Sequence, residues 1–150
     1  MLARTRPRVL IDADVLLAAC CASPSEQGAS LVILRMAEIT LLEAYTPKQV
    51  IEEVRRNLEA KLPRAWPAMQ TIVARCLTVL PDPTTEEVAA YVGLAHEKDL
   101  PILVAALQAR CRWLVSFNVR HFQPGHAEVA VVRPGEFLTQ VRDRLSRLGA

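Results

Sequence analysis

The chain has no long hydrophobic run and no regular pattern of cysteines. A membrane-spanning helix needs about 18 or more consecutive apolar residues, and no segment approaches that length. Two of the four cysteines are adjacent, Cys20 and Cys21, and two are isolated, Cys76 and Cys111. No C-x-x-C pair occurs, and none of the three histidines stands at a zinc-site spacing from a cysteine. We therefore expect buried, reduced thiols rather than disulfides or a zinc site.

The N-terminal segment also lacks the apolar core of a secretion signal. Arginines precede the sequence VLLAACCA at 15–22, which imitates a lipoprotein signal. Asp12 and Asp14, however, leave only VLLAA as an apolar stretch before Cys20, shorter than the usual length of about 7–15 residues. We predict a cytoplasmic protein that has no membrane partner.

Aromatic residues are scarce, at 5%, and neither sign of charge dominates. The 150 residues carry 18 basic and 16 acidic side chains, a formal net charge of +2, so no general affinity for polyanions is expected. Hydrophobic residues make up 51%, which excludes intrinsic disorder. The length predicts a single domain over residues 1–150, large enough to fold without a metal or disulfide.

Short apolar runs alternate with helical periodicity, which predicts an α/β fold. The run RVLIDA at 8–13 ends in carboxylates and is typical of a strand buried on both faces. Further strands are predicted at 39–47, 77–81, 113–117 and 127–134. Helices are predicted at 14–22, 29–39, 48–62, 64–76, 84–97, after Asp99, and at 135–148, with Ser23, Pro24, Ser25 and Gly28 interrupting the first two. The pattern predicts one doubly wound domain.

Acidic residues fall where such a sheet binds ligands, at the carboxyl ends of its strands. Asp12 and Asp14 follow the first strand, and Asp99 begins the helix that leads to the fourth. Ser116 and Asn118 end that fourth strand. Clustered carboxylates repel one another unless a cation lies among them, and their oxygens suit Mg²⁺ or Mn²⁺. The simpler alternative is structural: Asp99 as a helix N-cap and Asp12 as an acceptor for backbone N–H groups.

The helix predicted at 48–62 offers two further carboxylates, Glu52 and Glu53. At about 100° per residue the two flank its apolar stripe symmetrically, so periodicity does not choose between them.

Two enzyme families that open on an acidic strand end match only in part. The segment IDADV resembles the haloacid-dehalogenase phosphatases, which would make Asp12 a nucleophile and Asp14 an acid/base. That family needs a late lysine and a late pair of aspartates, but no lysine follows Lys98 and only Asp143 follows Asp99. A phosphorylation receiver domain fits less well, because no aspartate ends the third strand.

The PIN-domain nucleases, related to the PilT N-terminus, match along nearly the whole chain. The resemblance is carried by RVLIDADVLLAA, IEEVRRNL (51–58), HEKDLPILVAAL (96–107) and LVSFNVRHF (114–122). The site residues of the family then correspond to Asp12, Glu53 and Asp99, and its strand-end motif to Ser116, Asn118 and Phe122. Two positions depart from the common pattern: Asp14 stands where many relatives have Asn, and Asn118 replaces the fourth acidic residue.

The resemblance implies a three-layer α/β/α sandwich around a mostly parallel five-stranded sheet. It also implies a metal-dependent endoribonuclease in which Asp12, Glu53 and Asp99 hold one or two Mg²⁺ or Mn²⁺ ions. Asn118 would be a catalytic neutral ligand or would orient water, and Asp14 is a possible additional ligand.

Many members of this family are VapC-type toxins, so the implied partners are an RNA substrate, a cognate antitoxin and a second copy of the chain. Arg56, Arg120 and Ser116 are candidates for contacts with RNA. Because Asn118 carries no charge, a catalytically weak RNA-binding or interaction module stays open as an alternative. The phosphatase using Asp12 and Asp14 is the other alternative.

Overall fold

The computed structural model describes residues 6–21 and 24–148, in which strands and helices alternate. The strands are β1 (Arg8–Ile11), β2 (Glu43–Pro47), β3 (Thr78–Leu80), β4 (Trp113–Val115) and β5 (Ala130–Val132). The helices are α1 (Ala13–Cys21), α2 (Pro24–Glu38), α3 (Lys48–Lys61), α4 (Trp66–Cys76), α5 (Thr85–Ala89), α6 (Leu100–Gln108) and α7 (Pro134–Leu148). Short 3₁₀ turns occur at Pro63–Ala65 and Val119–Phe122.

The five strands form one parallel sheet in the order β3-β2-β1-β4-β5. β1 lies at its centre, and Val9, Leu10 and Ile11 are fully buried, as expected of an apolar strand covered on both faces. Leu10 stands in register with Tyr45 of β2 and Leu114 of β4. The predicted α/β sheet with RVLI as a buried strand is confirmed.

Helices cover both faces of the sheet. The chain moves outward from β1 to β3 through α1–α4 and then returns to β4 through α5 and α6. Because crossovers between parallel strands are right-handed, the reversed direction places α5 and α6 on the opposite face. The strand order therefore switches between β1 and β4, and the residues that follow these two strands lie side by side.

The helix predicted at 84–97 is much shorter in the structure. Of the two threonines that could cap it, Thr84 does so: its side chain accepts a hydrogen bond from the backbone N–H of Glu87, and the Glu87 side chain accepts one from the backbone N–H of Thr84. The helix nevertheless ends at Ala89 and turns follow, with Gly93 at φ 90°. Val88, Tyr91 and Leu94 still pack partly against the core, but Gly93 has a left-handed backbone conformation that does not continue an α-helix.

The fourth and fifth strands are shorter than predicted, and the starts of α2 and β2 also differ from the prediction. α2 begins at Pro24, so the segment 24–28 expected to separate helices is helical, since proline is tolerated in a first helical turn. β2 begins only at Glu43, because the chain first turns through Thr40 at φ 65°. Within the described residues, no helix combines the length and apolarity needed to cross a membrane.

One buried group in this core should be replaceable with a gain in stability. Ser30 of α2 is fully buried, and its hydroxyl has no hydrogen-bond partner among the described residues. Ser30→Ala removes that unsatisfied group and improves helix propensity, so we expect the free energy of unfolding to rise by about 1 kcal/mol in urea denaturation. Ser146→Ala, on an exposed face of α7, is the contrasting control, because that hydroxyl is satisfied by a hydrogen bond to the Arg142 carbonyl. A loss of stability in Ser30→Ala would contradict the expectation.

Candidate functional site

An open pocket of about 670 Å³ lies at the carboxyl ends of the strands. It receives side chains from four separate parts of the chain: the end of β1, helix α3, the segment before α6 and the segment after β4. Its lining residues are Asp12, Ala13, Asp14, Gln49, Glu53, Arg56, His96, Lys98, Asp99, Asn118 and His121. All four predicted carboxylates and Asn118 are therefore brought together.

Asp12 follows β1 directly and is only 6% exposed. Both of its carboxylate oxygens accept hydrogen bonds, Oδ1 from the backbone N–H of Ala13 at 2.8 Å and Oδ2 from the Ser116 hydroxyl at 2.7 Å. Burial is the largest cause of a raised Asp12 pKa, and the charge of Asp99 raises it further, while the bond from Ser116 lowers it. The structure thus holds a carboxylate where its charge is disfavoured.

Ser116 supports this carboxylate from within the core. It is fully buried at the end of β4, and its hydroxyl lies within hydrogen-bond distance of Asp12 Oδ2 and Asp14 Oδ2, at 2.7 and 3.3 Å. Its oxygen also accepts a bond from the backbone N–H of Asn118 at 3.0 Å. A side chain so enclosed does not reach a ligand in solvent, so the expected RNA contact of Ser116 is replaced by a role in positioning the two aspartates.

Asp14 is the second carboxylate of the pair and is partly buried. Its Oδ2 accepts a hydrogen bond from the backbone N–H of Phe117 at 3.0 Å. Its Oδ1 is buried and has no hydrogen-bond partner in the part of the chain that the structure describes. Burial and then the charge of Asp12 raise the pKa of Asp14 to about 7. A buried carboxylate oxygen without a partner is unfavourable, and a cation or a proton bound to it would stabilise the site.

Helix α3 presents Glu53, and not Glu52, to the pocket. The buried face of this helix is formed by Val50, Val54 and Leu58, and its packing decides which of the two glutamates turns toward the sheet. Partial burial is the largest cause of a raised Glu53 pKa, followed by the charges of Asp12 and Asp99. Glu53 therefore shares the electrostatic field of the other carboxylates.

Asp99 occupies the N-cap position of α6, yet its side chain forms no capping hydrogen bond. The carboxylate instead lies 3.1 Å from Nδ1 of His121, through its Oδ2 atom. His121 is placed by the 3₁₀ turn after β4, and its carbonyl accepts a hydrogen bond from the backbone N–H of His96. The alternative in which the Asp99 side chain serves only to cap α6 is therefore not what the structure shows. Sequence analysis missed His121 as a partner of Asp99, because no spacing links the two.

The remaining polar groups border the carboxylates. Asn118 is exposed and makes no capping hydrogen bond with its side chain, so its amide is available to the pocket. Arg56, which is a predicted RNA contact, and Lys98 bring positive charge to the lining. Arg120 is exposed on the neighbouring turn but does not line the pocket.

The donor set fits a hard divalent cation. It consists of carboxylates and one amide, the oxygens that Mg²⁺ and Mn²⁺ prefer, and it contains the unpartnered Oδ1 of Asp14. Within residues 6–21 and 24–148, no three His, Cys, Asp or Glu side chains form a compact ligand cluster. An open arrangement is compatible with Mg²⁺, which usually keeps several waters and binds through one or two carboxylates together with substrate phosphates.

Comparison with known proteins identifies the fold independently. The family model described as the PIN domain matches residues 8–120. No curated protein matches the sequence.

Two solved structures share the fold. One is VapBC2 from Rickettsia felis bound to a DNA fragment from their promoter, with a TM-score of 0.60 and 12% identity over 83% of this chain and 96% of that chain. The other is VapC20 from Mycobacterium tuberculosis, a sarcin-ricin loop cleaving toxin. Its TM-score is 0.60, with 17% identity over 81% of this chain and 98% of that chain.

The raised pKa of Asp14 predicts a pH dependence of stability. Between the ordinary value of 3.8 and about 7, the folded state binds more protons than the unfolded state, so the free energy of unfolding falls as pH rises through that window. We expect Asp14→Asn to flatten this decline, with a difference of the order of 4 kcal/mol above the window.

Urea denaturation across this pH range, in a buffer that chelates divalent ions, measures the effect. Asp143→Asn, an exposed aspartate on α7, is the control and should follow the native profile. Parallel profiles for the native protein and Asp14→Asn would show that Asp14 titrates normally.

Proposed function

The chain belongs to the PIN-domain family, and from this we propose that it is a metal-dependent endoribonuclease, the toxin of a type II toxin–antitoxin pair. The observation that supports the proposal best is the convergence of Asp12, Glu53 and Asp99 on one pocket from distant parts of the chain. The fold shared with a VapBC complex and with an RNA-cleaving VapC toxin supports the toxin assignment.

In the proposed mechanism Asp12, Glu53 and Asp99 hold one or two Mg²⁺ or Mn²⁺ ions, with Asp14 and Asn118 beside them. The chemistry that such an ion supplies when bound is Lewis acidity, which neutralises phosphate charge and makes water more acidic. The Ser116 hydroxyl and the Ala13 N–H keep the oxygens of Asp12 in fixed directions.

The other polar groups of the pocket position substrate and carboxylate. His121 restrains Asp99 through the contact at 3.1 Å, so that this carboxylate does not turn back to cap α6. Arg56 and Lys98 offer cationic donors to the RNA phosphates on either side of the cleaved bond. Asn118 contributes an oxygen ligand or holds a water molecule, without adding negative charge that would repel the phosphate.

We include a protein partner in the proposal. Several apolar side chains are exposed, namely Val32, Ile39, Leu41, Val79 and Val92, and an antitoxin or a second copy of the chain would cover such surface. An RNA-cleaving toxin of this kind would act in the cytoplasm, as a single domain over residues 1–150.

The phosphatase alternative has less support. The late lysine and the late pair of aspartates of that family are missing: no lysine follows Lys98, and Asp143, the one aspartate after Asp99, does not line the pocket. Turnover of p-nitrophenyl phosphate that is lost in Asp12→Asn would reinstate it.

Divalent ions should stabilise the folded protein, because they relieve repulsion among its carboxylates and bind the native state alone. We expect millimolar Mn²⁺ to raise the melting temperature of the native protein, and Asp12→Asn and Asp99→Asn to reduce that increase. Thermal unfolding with and without Mn²⁺ measures it. Glu52→Gln, which removes a carboxylate outside the pocket, is the matched control. An equal increase in all variants would place the ion elsewhere.

Adjacent glutamates of α3 provide a sharp test of the nuclease itself. Glu53→Gln removes a carboxylate that faces the pocket, and we expect it to abolish Mn²⁺-dependent cleavage of RNA while circular dichroism stays unchanged. Glu52→Gln should retain nearly native cleavage, since that side chain points elsewhere. The assay follows a mixture of single-stranded and structured RNA on denaturing gels.

Two results would contradict the proposal. Loss of cleavage in Glu52→Gln but not in Glu53→Gln would displace the site by one residue. Binding of RNA by the native protein without any cleavage in Mn²⁺ would favour the interaction module in which Asn118 has cost the site its activity.

A further inference from the structure

A second cleft, of about 360 Å³, lies at the opposite edge of the sheet and is lined mainly by arginine. We call it the arginine cleft; it comprises Arg6, Arg8, Arg110, Arg112 and Arg144 around Trp113. Arg8 begins β1 and Arg112 immediately precedes β4, so the cleft lies at the amino ends of these strands. The pocket that holds Asp12 and Asp99, which we call the acidic pocket, lies at their carboxyl ends. The two surfaces therefore share no lining residue.

Most of the positive charge in the arginine cleft is not neutralised within the protein. Arg6 and Arg8 share one carboxylate, Glu43, at 3.1 and 2.9 Å. Arg110, Arg112 and Arg144 form no ion pair or side-chain hydrogen bond among the described residues, and no carboxylate lines the cleft. Like charges held together are unfavourable unless an anion binds between them, so the cleft is suited to a polyanion.

Some of these guanidinium groups are already held in place. Arg8 donates through Nη1 to the carbonyl of Ala109 at 3.1 Å, in addition to its bond to Glu43. The guanidinium of Arg144 lies over the Trp113 ring, 4.7 Å from its centroid, and the indole N–H of Trp113 is fixed by Gln140 at 2.9 Å. Restrained planar guanidinium groups match phosphate oxygens at a reduced cost in side-chain entropy.

We propose that the arginine cleft binds the phosphate backbone of RNA, as a surface separate from the acidic pocket; the choice of RNA among polyanions rests on the proposed function. An acidic protein segment is the less favoured ligand, because protein interfaces depend on apolar anchors at their centre. Trp113 is only 4% exposed and the other lining residue is Pro7, so the cleft offers no apolar pocket for such an anchor. Backbone contacts of this kind add affinity without sequence preference.

The test measures binding without cleavage. Fluorescence anisotropy of a fluorescein-labelled oligouridylate is recorded in EDTA, over a series of salt concentrations, for the full chain and for the double variant Arg110→Gln/Arg112→Gln. We expect the variant to bind about tenfold more weakly at low salt, and the slope of log Kd against log salt to fall by about 0.7 per arginine. Arg35→Gln/Arg64→Gln, two exposed arginines outside both clefts, is the matched control and should bind like the native chain.

Two outcomes would overturn the inference, provided that thermal unfolding shows all variants folded. Unchanged affinity and slope in the double variant, with weaker binding in Arg56→Gln, would place all RNA contacts at the acidic pocket. Binding of polyglutamate that depends on Arg110 and Arg112, with RNA binding unaffected, would identify an acidic protein segment as the ligand. Because no cleavage is required, a failure of the proposed nuclease activity would leave RNA binding at the arginine cleft intact and distinguishable.

Discussion

One buried hydroxyl organises the acidic pocket. Ser116 ends β4 beside the end of β1, and its oxygen lies within hydrogen-bond distance of one carboxylate oxygen from each of Asp12 and Asp14. Neutral donors of this kind are the means by which the folded chain keeps two carboxyl groups close together in a region of low dielectric. Without these donors, more carboxylate oxygens of the two aspartates would lack a hydrogen bond. The free-energy cost of such an unsatisfied oxygen is larger than the net stabilisation that one hydrogen bond provides.

The same arrangement leaves the pocket electrostatically strained. The pKa values of Asp12, Asp14 and Glu53 are all raised, by burial first, with the charges of neighbouring carboxylates adding to it. A protein under selection for stability alone would replace such a cluster, and functional sites are where local rules are broken in this way. The strain is consistent with a place for a cation, which would remove the repulsion and leave the core of β1 unchanged.

Charge is separated along the strands of the sheet. The carboxyl ends carry the acidic pocket and the amino ends carry the arginine cleft, although the whole chain has a net charge of only +2. A near-neutral total is therefore a poor guide to ligands here, because residues such as Arg112 and Asp12 are distant in space but cancel in the sum. The parallel sheet produces the separation, since residues that precede all strands lie at one edge and those that follow lie at the other.

Local sequence determined the elements whose burial is continuous: β1, the apolar face of α3 and the start of α6 were predicted, and with them Asp12 and Asp99 at their ends. It failed at α5, which stops after Ala89 and is followed by turns with Gly93 at φ 90°, although Val88 and Tyr91 continue an apolar face. Periodicity did not distinguish Glu53 from Glu52, and it paired neither His121 with Asp99 nor the arginines of one cleft. The packing of α3 decides between the glutamates, and the strand order decides the rest, because it determines which distant side chains face each other at the same end of the sheet.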